Sequence, residues 1–387
     1  MKIAVIGGGP AGLYAATLIK KREPSWPIIV LEQNTPNDTF GFGVVLADSG
    51  LNRLRGADAE IHDRLIDRMS FASEQAIVHG ETAILVKRGT KGGAITRLEM
   101  LEVLQNAARD AGVELRFGVR IESLDQLAAQ GLTDADVVIG ADGINSVVRT
   151  TFAEGFGTTR STLTNHFAWY GVAKALKPGA LVFRRHGVGA FVAHYYTYSA
   201  TRSTFVGECD DAAWRGLGMA QMSEAARIAL LESIYAPELG GARLITNNST
   251  WRQFPVIRNR EWAVGRHVLL GDAHTSAHFS IGSGTRIAME DSITLAASLT
   301  ETDGSVSDRF AHFAATRGPQ KAKLIGASER SCLWYERIGE WLDRYNPHEF
   351  VHAFMTRTGR VDDARLAVEF PELMVELKRG MRGPHSA

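Results

Sequence analysis

Three glycines near the start of the chain have the spacing of a phosphate-binding turn. Gly7, Gly9 and Gly12 stand in the run GGGPAG, together with Pro10 and Ala11. In such a turn the first glycine permits a tight reversal, the second lets backbone N–H groups approach a pyrophosphate, and the third lets a helix pack closely on a strand. The pyrophosphate lies at the N-terminus of that helix, where free N–H groups and the helix dipole favour an anion. The motif therefore predicts a site for a dinucleotide.

The segments around the turn have the order that such a site requires. An apolar run at residues 2–6 predicts a buried strand, the composition after the turn is helical, and a second apolar run ends in Glu32. Glu32 follows Gly12 by twenty residues, the distance at which an acid accepts hydrogen bonds from a ribose hydroxyl. Because a carboxylate would repel a 2′-phosphate, Glu32 favours FAD or NAD over NADP.

Two further turns combine glycine with aspartate after an apolar run. Asp142-Gly143 follows the run at 137–140, and Gly271-Asp272 follows the run at 267–270. The three motifs, in this order between residues 7 and 291, resemble the fingerprints of the aromatic-ring flavoprotein monooxygenases of the p-hydroxybenzoate hydroxylase type. No second glycine turn with a distant acid follows, unlike in flavin reductases with two dinucleotide domains and in the Baeyer–Villiger type.

This resemblance implies FAD as the bound cofactor, NADH or NADPH as a transient reductant, and O2 as co-substrate, with a ring hydroxylated through a C4a-hydroperoxyflavin. Asp272 would accept a hydrogen bond from a ribityl hydroxyl, and the backbone at Gly282 and Gly284 would donate to the flavin N1/O2 edge. Arg97 would neutralise phosphate or ribose oxygens; the alternative is a solvated charge at a helix end. The predicted cofactor-binding residues are Gly7, Gly9, Pro10, Ala11, Gly12, Glu32, Gly43, Val44, Arg97, Asp142, Asp272, Gly282, Gly284 and Thr285.

Four segments narrow the resemblance. Residues 40–46, 254–260, 278–285 and 330–336 are similar to segments of salicylyl-CoA and 2-aminobenzoyl-CoA hydroxylases, and several also resemble an indole-ring hydroxylase of violacein biosynthesis. The 2-aminobenzoyl-CoA enzymes carry an additional C-terminal reductase barrel, for which a chain ending at residue 387 leaves no room. We therefore expect plain hydroxylation of salicylyl-CoA to gentisyl-CoA. The alternatives are an indole or tryptophan-type hydroxylase, a flavin-dependent reductase or dehydrogenase that does not hydroxylate, and a non-catalytic flavoprotein.

Residues from about 161 to 258 depart from the alternation of strand and helix. Aromatic-rich runs in this region predict antiparallel strands, and in the family such a sheet covers the ring-binding cavity. Trp169, Phe205 and Phe279 are the predicted ring contacts, although each could instead belong to the sheet core. Arg258 is a predicted partner for the phosphates of a CoA thioester. Phe279 stands where the family usually has proline, and Arg286 stands where it usually has asparagine.

Hydroxylation requires an electron-rich ring, and a base that removes a proton from a ring hydroxyl or amino group increases that electron density. The residues predicted for this catalytic role are His194, Tyr196 and His278. A lone histidine is more often a core residue whose hydrogen bonds are satisfied, so each of these positions also has a purely structural interpretation.

The predicted fold is α/β with α+β elements: a Rossmann-type FAD-binding domain, an antiparallel-sheet substrate domain and C-terminal helices. The FAD-binding domain would comprise residues 1–75, 95–160 and 259–305, the substrate domain 76–94 and 161–258, and the C-terminal helical region 306–387. Within that last region, five apolar residues at helical spacing predict a face that packs on the flavin domain or on a second subunit: Leu333, Trp334, Ile338, Trp341 and Leu342.

Composition limits the partners. The 43 basic and 43 acidic residues give a formal net charge of +0, which argues against a nucleic-acid partner. No apolar run reaches membrane-spanning length, and two cysteines form no disulfide framework or CxxC metal site, so we expect a cytoplasmic protein without a metal. The expected partner is a small aromatic molecule, as a CoA thioester, and the expected state is a monomer or homodimer.

Overall fold

The computed structural model describes residues 1–38, 41–247 and 249–381, without the side chains of residues 88–91. The strands in these ranges are β1 Ile3–Ile6, β2 Ile28–Glu32, β3 Gly43–Leu46, β4 Ser70–His79, β5 Thr82–Thr96, β6 Glu114–Phe117, β7 Val137–Gly140, β8 Thr159–Val172, β9 Gly179–His186, β10 Gly189–Ser199, β11 Arg202–Cys209, β12 Leu244–Ile245, β13 Arg252–Arg258, β14 Ala263–Val264 and β15 His267–Leu269. The helices are α1 Pro10–Arg22, α2 Asp48–Ala57, α3 Ala59–Ile66, α4 Arg97–Ala111, α5 Val147–Thr151, α6 Ala153–Phe156, α7 Asp211–Gly216, α8 Glu224–Ile234, α9 Ala236–Leu239, α10 Gly284–Glu301, α11 Val306–Tyr335, α12 Ile338–Arg344, α13 Pro347–Thr356, α14 Asp363–Glu369 and α15 Pro371–Met381.

The first sheet is mainly parallel and has the strand order β14-β15-β7-β1-β2-β6. Strands β1, β2 and β7 are short and apolar because helices cover both faces of the sheet. Helices α1, α4 and α10 contribute to the core on one face, and Phe156 lies in the core on the other. The carboxyl ends of β1, β2, β7 and β15 meet at one edge of the sheet, which brings the three predicted turns and Glu32 together.

The second sheet has the strand order β12-β8-β11-β10-β9-β4-β5-β3, with β13 paired to β8. Strands β4 and β9 pair in parallel, and the strands from β8 to β11 pair with their neighbours in antiparallel register. One face packs against α7, α8 and α9. The opposite face contacts the C-terminal helices at one end and the segment around Phe279 near its middle. The predicted fold class is confirmed.

The predicted domain boundaries stay a prediction. Strand β3 and the first residues of β4 fall within the segment 1–75 of the predicted FAD-binding domain, and both pair with β5 in the second sheet. The loop at 40–46 is described from Gly41 onward, and Phe40 lies outside the described residues.

The C-terminal helices pack on the second sheet. Ile338 is fully buried in a core that contains Phe183 of β9, and Trp334 contacts the same phenylalanine with ring centroids 6.0 Å apart. Leu333 is 60% exposed. The predicted apolar face therefore covers the sheet rather than the flavin domain, and Leu333 does not belong to it, because its position on α11 points away from the sheet. None of the helices in the described ranges is both long enough and apolar enough to cross a bilayer.

Candidate active site

The glycine turn after β1 packs too closely for side chains at two positions. A Cβ atom on Gly7, whose φ is +106°, would lie 2.3 Å from the carbonyl oxygen of Ala141, and one on Gly12 would lie 2.0 Å from the carbonyl oxygen of Gly7. A Cβ atom on Gly9 would have no described atom within 4 Å, so the backbone is open to a cleft there. Pro10 begins α1, and no acidic residue stands in its first turn. The helix N-terminus is therefore available to an anion.

Glu32 is held at the edge of the same cleft by backbone and amide donors. Its Oε2 accepts a hydrogen bond of 2.7 Å from the Gly8 N–H, and its Oε1 accepts bonds of 2.8 and 2.7 Å from the Asn34 N–H and Nδ2. Because a carboxylate has about four lone-pair sites, a ribose hydroxyl can bind while these bonds persist. The anchoring fixes the orientation of the carboxylate toward the cleft.

The cleft has a volume of about 810 Å³, within the range of about 300–1,000 Å³ that is usual for ligand sites. It brings together most of the predicted cofactor-binding residues: Gly7, Gly9, Pro10, Ala11, Glu32, Arg97, Asp142, Asp272, Gly284 and Thr285. Gly12 lies beneath the turn, where it permits close packing. Gly43, Val44 and Gly282 are not part of the cleft lining.

Two charged residues in the cleft, Arg97 and Asp272, have side chains without a hydrogen-bond partner among the described residues. Within the described ranges, no hydrogen bond or ion pair reaches the Arg97 guanidinium; burial lowers its pKa, and the carboxylates of Asp272 and Glu32 oppose that shift. Asp272 likewise has no described partner. Although the open cleft leaves its side chain accessible, the surrounding protein atoms desolvate the carboxyl and raise its pKa, against the influence of Lys321 and Arg97.

Asp142 completes the set of groups in the cleft. Its Oδ2 accepts a hydrogen bond of 2.7 Å from the Val147 N–H, whereas its Oδ1 is buried and finds no partner in the described part of the chain. Burial raises the pKa of this carboxyl. The cleft therefore offers the Arg97 cation, the Asp272 carboxylate and the unsatisfied Asp142 oxygen around a glycine turn. These groups fit a dinucleotide, which carries a pyrophosphate and sugar hydroxyls.

A buried ionic cluster supports the turn that carries Asp272. Asp291 of α10 accepts hydrogen bonds of 3.1 Å from the Gly271 N–H, 2.7 Å from Arg317 Nε and 2.6 Å from Lys321 Nζ. Asp291, Arg317 and Lys321 are at most 2% exposed. Sequence reasoning did not identify Arg317 and Lys321, although two cations four residues apart on an otherwise apolar helix face are a signal that could have found them.

The second sheet holds the loop that contains Gly43. Tyr196 donates a hydrogen bond of 2.7 Å to the Gly43 carbonyl oxygen, and the Gly43 N–H donates one of 2.9 Å to Thr204 Oγ1. Burial raises the pKa of the Tyr196 phenol. Its hydroxyl proton is thus committed to a backbone oxygen, which makes Tyr196 a residue that positions the loop before Val44.

One face of the second sheet forms an aromatic wall. Trp169 lies directly opposite Val206, which lies directly opposite His194, so the three side chains share a face. Phe279 packs on this wall, with its ring centroid 4.7 Å from that of Phe167 and 5.9 Å from that of Trp169. The proline-to-phenylalanine departure at this position therefore supplies an aromatic ring to the wall.

Sequence reasoning missed a carboxyl group on the same face. Glu208 is 2% exposed and lines a small cavity of about 10 Å³ together with Val192, His194, Val206, Phe279, Ser280 and Tyr335. Burial raises the pKa of Glu208 to about 8; Asn165 opposes this shift through a hydrogen bond, and the Glu336 carboxylate adds to it. A glutamate that interrupts an apolar strand was the available signal.

Two residues predicted to contact the substrate are not brought to this wall. Phe205 is adjacent to Val206 and points to the opposite face, where it is fully buried with Tyr195 and Tyr235. Phe205 is therefore removed from the candidate ring contacts. Arg258 donates two hydrogen bonds to Glu329 and two to backbone carbonyls, which leaves it engaged within the protein.

His278 has a structural environment. Its ring packs beside Phe279, its Nδ1 accepts a hydrogen bond of 3.2 Å from the Ser280 N–H, and the side chain is 4% exposed. Burial, assisted by the Arg357 guanidinium, lowers the pKa of His278 to about 3. The ring is therefore neutral at physiological pH, and it caps the turn that leads to Gly282.

The cleft and the two-sheet architecture define a flavoprotein with a separate aromatic-lined sheet. The sequence profile of the family described as FAD binding domain matches residues 1–308. The solved tetrameric form of 2-methyl-3-hydroxypyridine-5-carboxylic acid oxygenase has a similar fold, with a TM-score of 0.69 at 21% identity over 94% of this chain and 97% of that one.

The sequence similarity to three curated relatives covers nearly the whole chain. Salicyloyl-CoA 5-hydroxylase of a Streptomyces species is 35% identical over 95% of this chain and 71% of its own length. A second relative is 3-hydroxy-4-methyl-anthranilyl-[aryl-carrier protein] 5-monooxygenase of Streptosporangium sibiricum. It is 32% identical over 95% of this chain and 97% of its own length. Protodeoxyviolaceinate monooxygenase of Chromobacterium violaceum is 32% identical over 92% of this chain and 94% of its own length. The chain belongs to the FAD-dependent aromatic-ring monooxygenases, which confirms the predicted cofactor and enzyme class.

Proposed function

We propose that the enzyme hydroxylates salicylyl-CoA (the salicyloyl-CoA of the relative's name) to gentisyl-CoA. The observation that carries the proposal is the 35% identity to salicyloyl-CoA 5-hydroxylase over 95% of the chain. The aromatic wall of Trp169 and Phe279 supports an aryl substrate, because aromatic faces pack well on a planar ring. Bound FAD supplies the redox chemistry, with NADH or NADPH as reductant and O2 as oxidant.

The residues of the cleft have distinct roles in this proposal. The N-terminus of α1 and the Arg97 guanidinium bind the pyrophosphate, Glu32 binds the ribose hydroxyls, and Asp272 binds a ribityl hydroxyl. The N–H groups at Gly282, Gly284 and Thr285 would donate to the edge of a bound flavin, and Gly43 and Val44 would contact its ring system. Arg97 and Asp272 support these roles, because the surrounding protein atoms partly desolvate both charges and a ligand that pairs with them would offset that cost.

On the sheet side, we infer that His194 holds the electron-donating group of the ring. Of the three predicted catalytic residues, His194 is the one that lines the cavity of the wall. Tyr196 and His278 act by positioning the loops that contain Gly43 and Ser280. Arg258 would have to exchange its bond with Glu329 to bind a CoA phosphate, so its role depends on a rearrangement at the end of β13.

The domain division, the cellular location and the oligomeric state are proposed as the sequence predicts them. We propose the predicted division into an FAD-binding domain, a substrate domain and a C-terminal helical region. A cytoplasmic location is supported by Cys209 and Cys332, which are both free thiols. The monomeric or homodimeric state is a prediction that analytical ultracentrifugation would test.

The proposal is tested by incubating the purified flavoprotein with NADH, O2 and salicylyl-CoA and following the product by mass spectrometry. The expected product gains one oxygen atom and forms at the rate of NADH consumption. Free salicylate and benzoyl-CoA are matched controls for the thioester and for the ring hydroxyl. NADH consumption that yields only peroxide would reject this substrate and favour a carrier-bound anthranilyl thioester or an indole-type substrate. Steady flavin reduction without oxygen transfer to any of these compounds would indicate a reductase or dehydrogenase.

A further inference from the structure

Two buried polar side chains, Glu208 and Tyr335, line the small cavity in the aromatic wall. The Tyr335 hydroxyl is buried and makes no hydrogen bond within the described ranges. Glu208 Oε1 accepts a hydrogen bond of 2.8 Å from Asn165 Nδ2, and no described donor reaches Oε2. A buried donor or acceptor that is left without a partner destabilises the folded protein. An unsatisfied hydroxyl beside a buried carboxyl group in one cavity therefore indicates that a polar group is bound there in the working enzyme.

The size of the cavity restricts what can bind. Its volume of about 10 Å³ corresponds to about one water-sized group. A hydroxyl or amino group fits this space, whereas a carboxylate or a second ring does not. The lining side chains Val192, Val206 and Phe279 are apolar, and the polar ones are Glu208, Tyr335, His194 and Ser280. Ser280 Oγ is already bonded to Ser331 Oγ, so a bound group would exchange its hydrogen bonds with water for bonds to Glu208 and Tyr335, next to His194.

The chemistry of the pair suits a hydroxyl or amino substituent. In the described part of the chain Glu208 forms no ion pair, and burial favours its neutral form. A neutral carboxyl group has both a donor and an acceptor, as does the Tyr335 hydroxyl. A ring hydroxyl also has both, so it can satisfy the two protein groups at once.

We propose that Glu208 and Tyr335 form the subsite that binds the hydroxyl or amino substituent of the aromatic substrate and thereby select rings that carry one. The inference rests on the proposed function, because it requires the ring to lie along the wall of Trp169 and Phe279. Glu208 and Tyr335 are thus specificity-determining residues, and His194 lines the same cavity.

The experiment measures binding to the FAD-loaded enzyme without NADH, from the change in flavin absorbance during titration with salicylyl-CoA or benzoyl-CoA. Wild-type enzyme is expected to prefer salicylyl-CoA by about tenfold or more, because each hydrogen bond contributes about 0.5–1.5 kcal/mol. Tyr335→Phe is expected to weaken salicylyl-CoA about 3- to 10-fold and Glu208→Leu at least as much. Neither change should alter benzoyl-CoA binding by more than about twofold.

Tyr235→Phe is the matched control, since the Tyr235 hydroxyl is equally buried and unpartnered within the described residues but lies on the opposite face of the sheet. It should leave both dissociation constants unchanged. FAD content and melting temperature verify that each variant is folded, and Tyr335→Phe decides the question if Glu208→Leu does not fold. Variants that discriminate as well as wild type, or lose both ligands equally, overturn the subsite alone. Wild-type enzyme that binds neither thioester overturns the proposed substrate and the subsite with it.

Discussion

The raised pKa of the Glu208 carboxyl predicts how the stability of the folded protein depends on pH. This prediction does not depend on any substrate. Glu208→Gln keeps the shape of the side chain and the oxygen that accepts the Asn165 Nδ2 hydrogen bond, but it cannot ionise. Any difference in the pH dependence of unfolding between wild type and this variant therefore reports the ionisation of this one carboxyl.

The sign and size of the effect follow from the shift in pKa. The pKa of Glu208 rises from 4.5 to about 8 in the folded protein. Below pH 4.5 the carboxyl group is protonated in both the folded and the unfolded protein, so its ionisation does not change the free energy of unfolding. Between these two values the unfolded chain releases the proton while the folded chain retains it, so the wild-type free energy of unfolding falls by about 1.4 kcal/mol per pH unit. Glu208→Gln should therefore exceed wild type by about 3 kcal/mol at pH 7 and about 5 kcal/mol above pH 8.

Urea unfolding of the FAD-loaded proteins, followed by tryptophan fluorescence at pH 5.5, 7.0 and 8.5, measures this difference. Glu74→Gln is the matched control, because Glu74 is an exposed glutamate in the same sheet, and its unfolding curves should remain parallel to those of wild type. A difference between Glu208→Gln and wild type that stays constant across this range would refute the buried, protonated state of Glu208.

Three further predictions concern the cofactor cleft and its support. Asp272→Ala should weaken FAD binding about 10- to 100-fold, because it removes a charged hydrogen-bond acceptor; full flavin absorbance per protein after gel filtration would contradict the assigned role. Gly12→Ala should lower the free energy of unfolding by about 1–3 kcal/mol, because its Cβ would lie 2.0 Å from the Gly7 carbonyl oxygen, and an unchanged urea midpoint would argue against this close packing. Lys321→Met should destabilise the protein by about 3–5 kcal/mol, because it leaves the buried Asp291 with less compensating charge. Denaturant unfolding measures that loss, and a change below about 1 kcal/mol would show that Arg317 alone suffices.

The departures from the common family pattern have structural explanations. Phe279 adds an aromatic ring to the wall of the second sheet. Arg286 donates hydrogen bonds of 2.8 Å to Glu290 and 2.7 Å to Ser49, so it joins α10 to α2. The first departure changes the composition of the aromatic wall, and the second changes the packing between helices.

The amino-acid sequence by itself determined the cofactor site. The glycine turn, Glu32 and the two glycine–aspartate turns are local patterns whose chemistry depends on residue type and short spacing, and the parallel order of strands brings them to one sheet edge. The positions of the strands in the aromatic region were predictable for the same reason, because alternation and composition are local signals.

Only the tertiary structure decided which side chains form the aromatic wall. Alternation along a strand separates Phe205 from Val206 but does not say which face receives helices α7 to α9 and which face forms the aromatic wall. The ion pair of Arg258 with Glu329 and the cluster of Asp291, Arg317 and Lys321 join residues distant in sequence. The ionisation of Glu208 likewise depends on what covers it, because desolvation is set by the surrounding atoms and not by the residue.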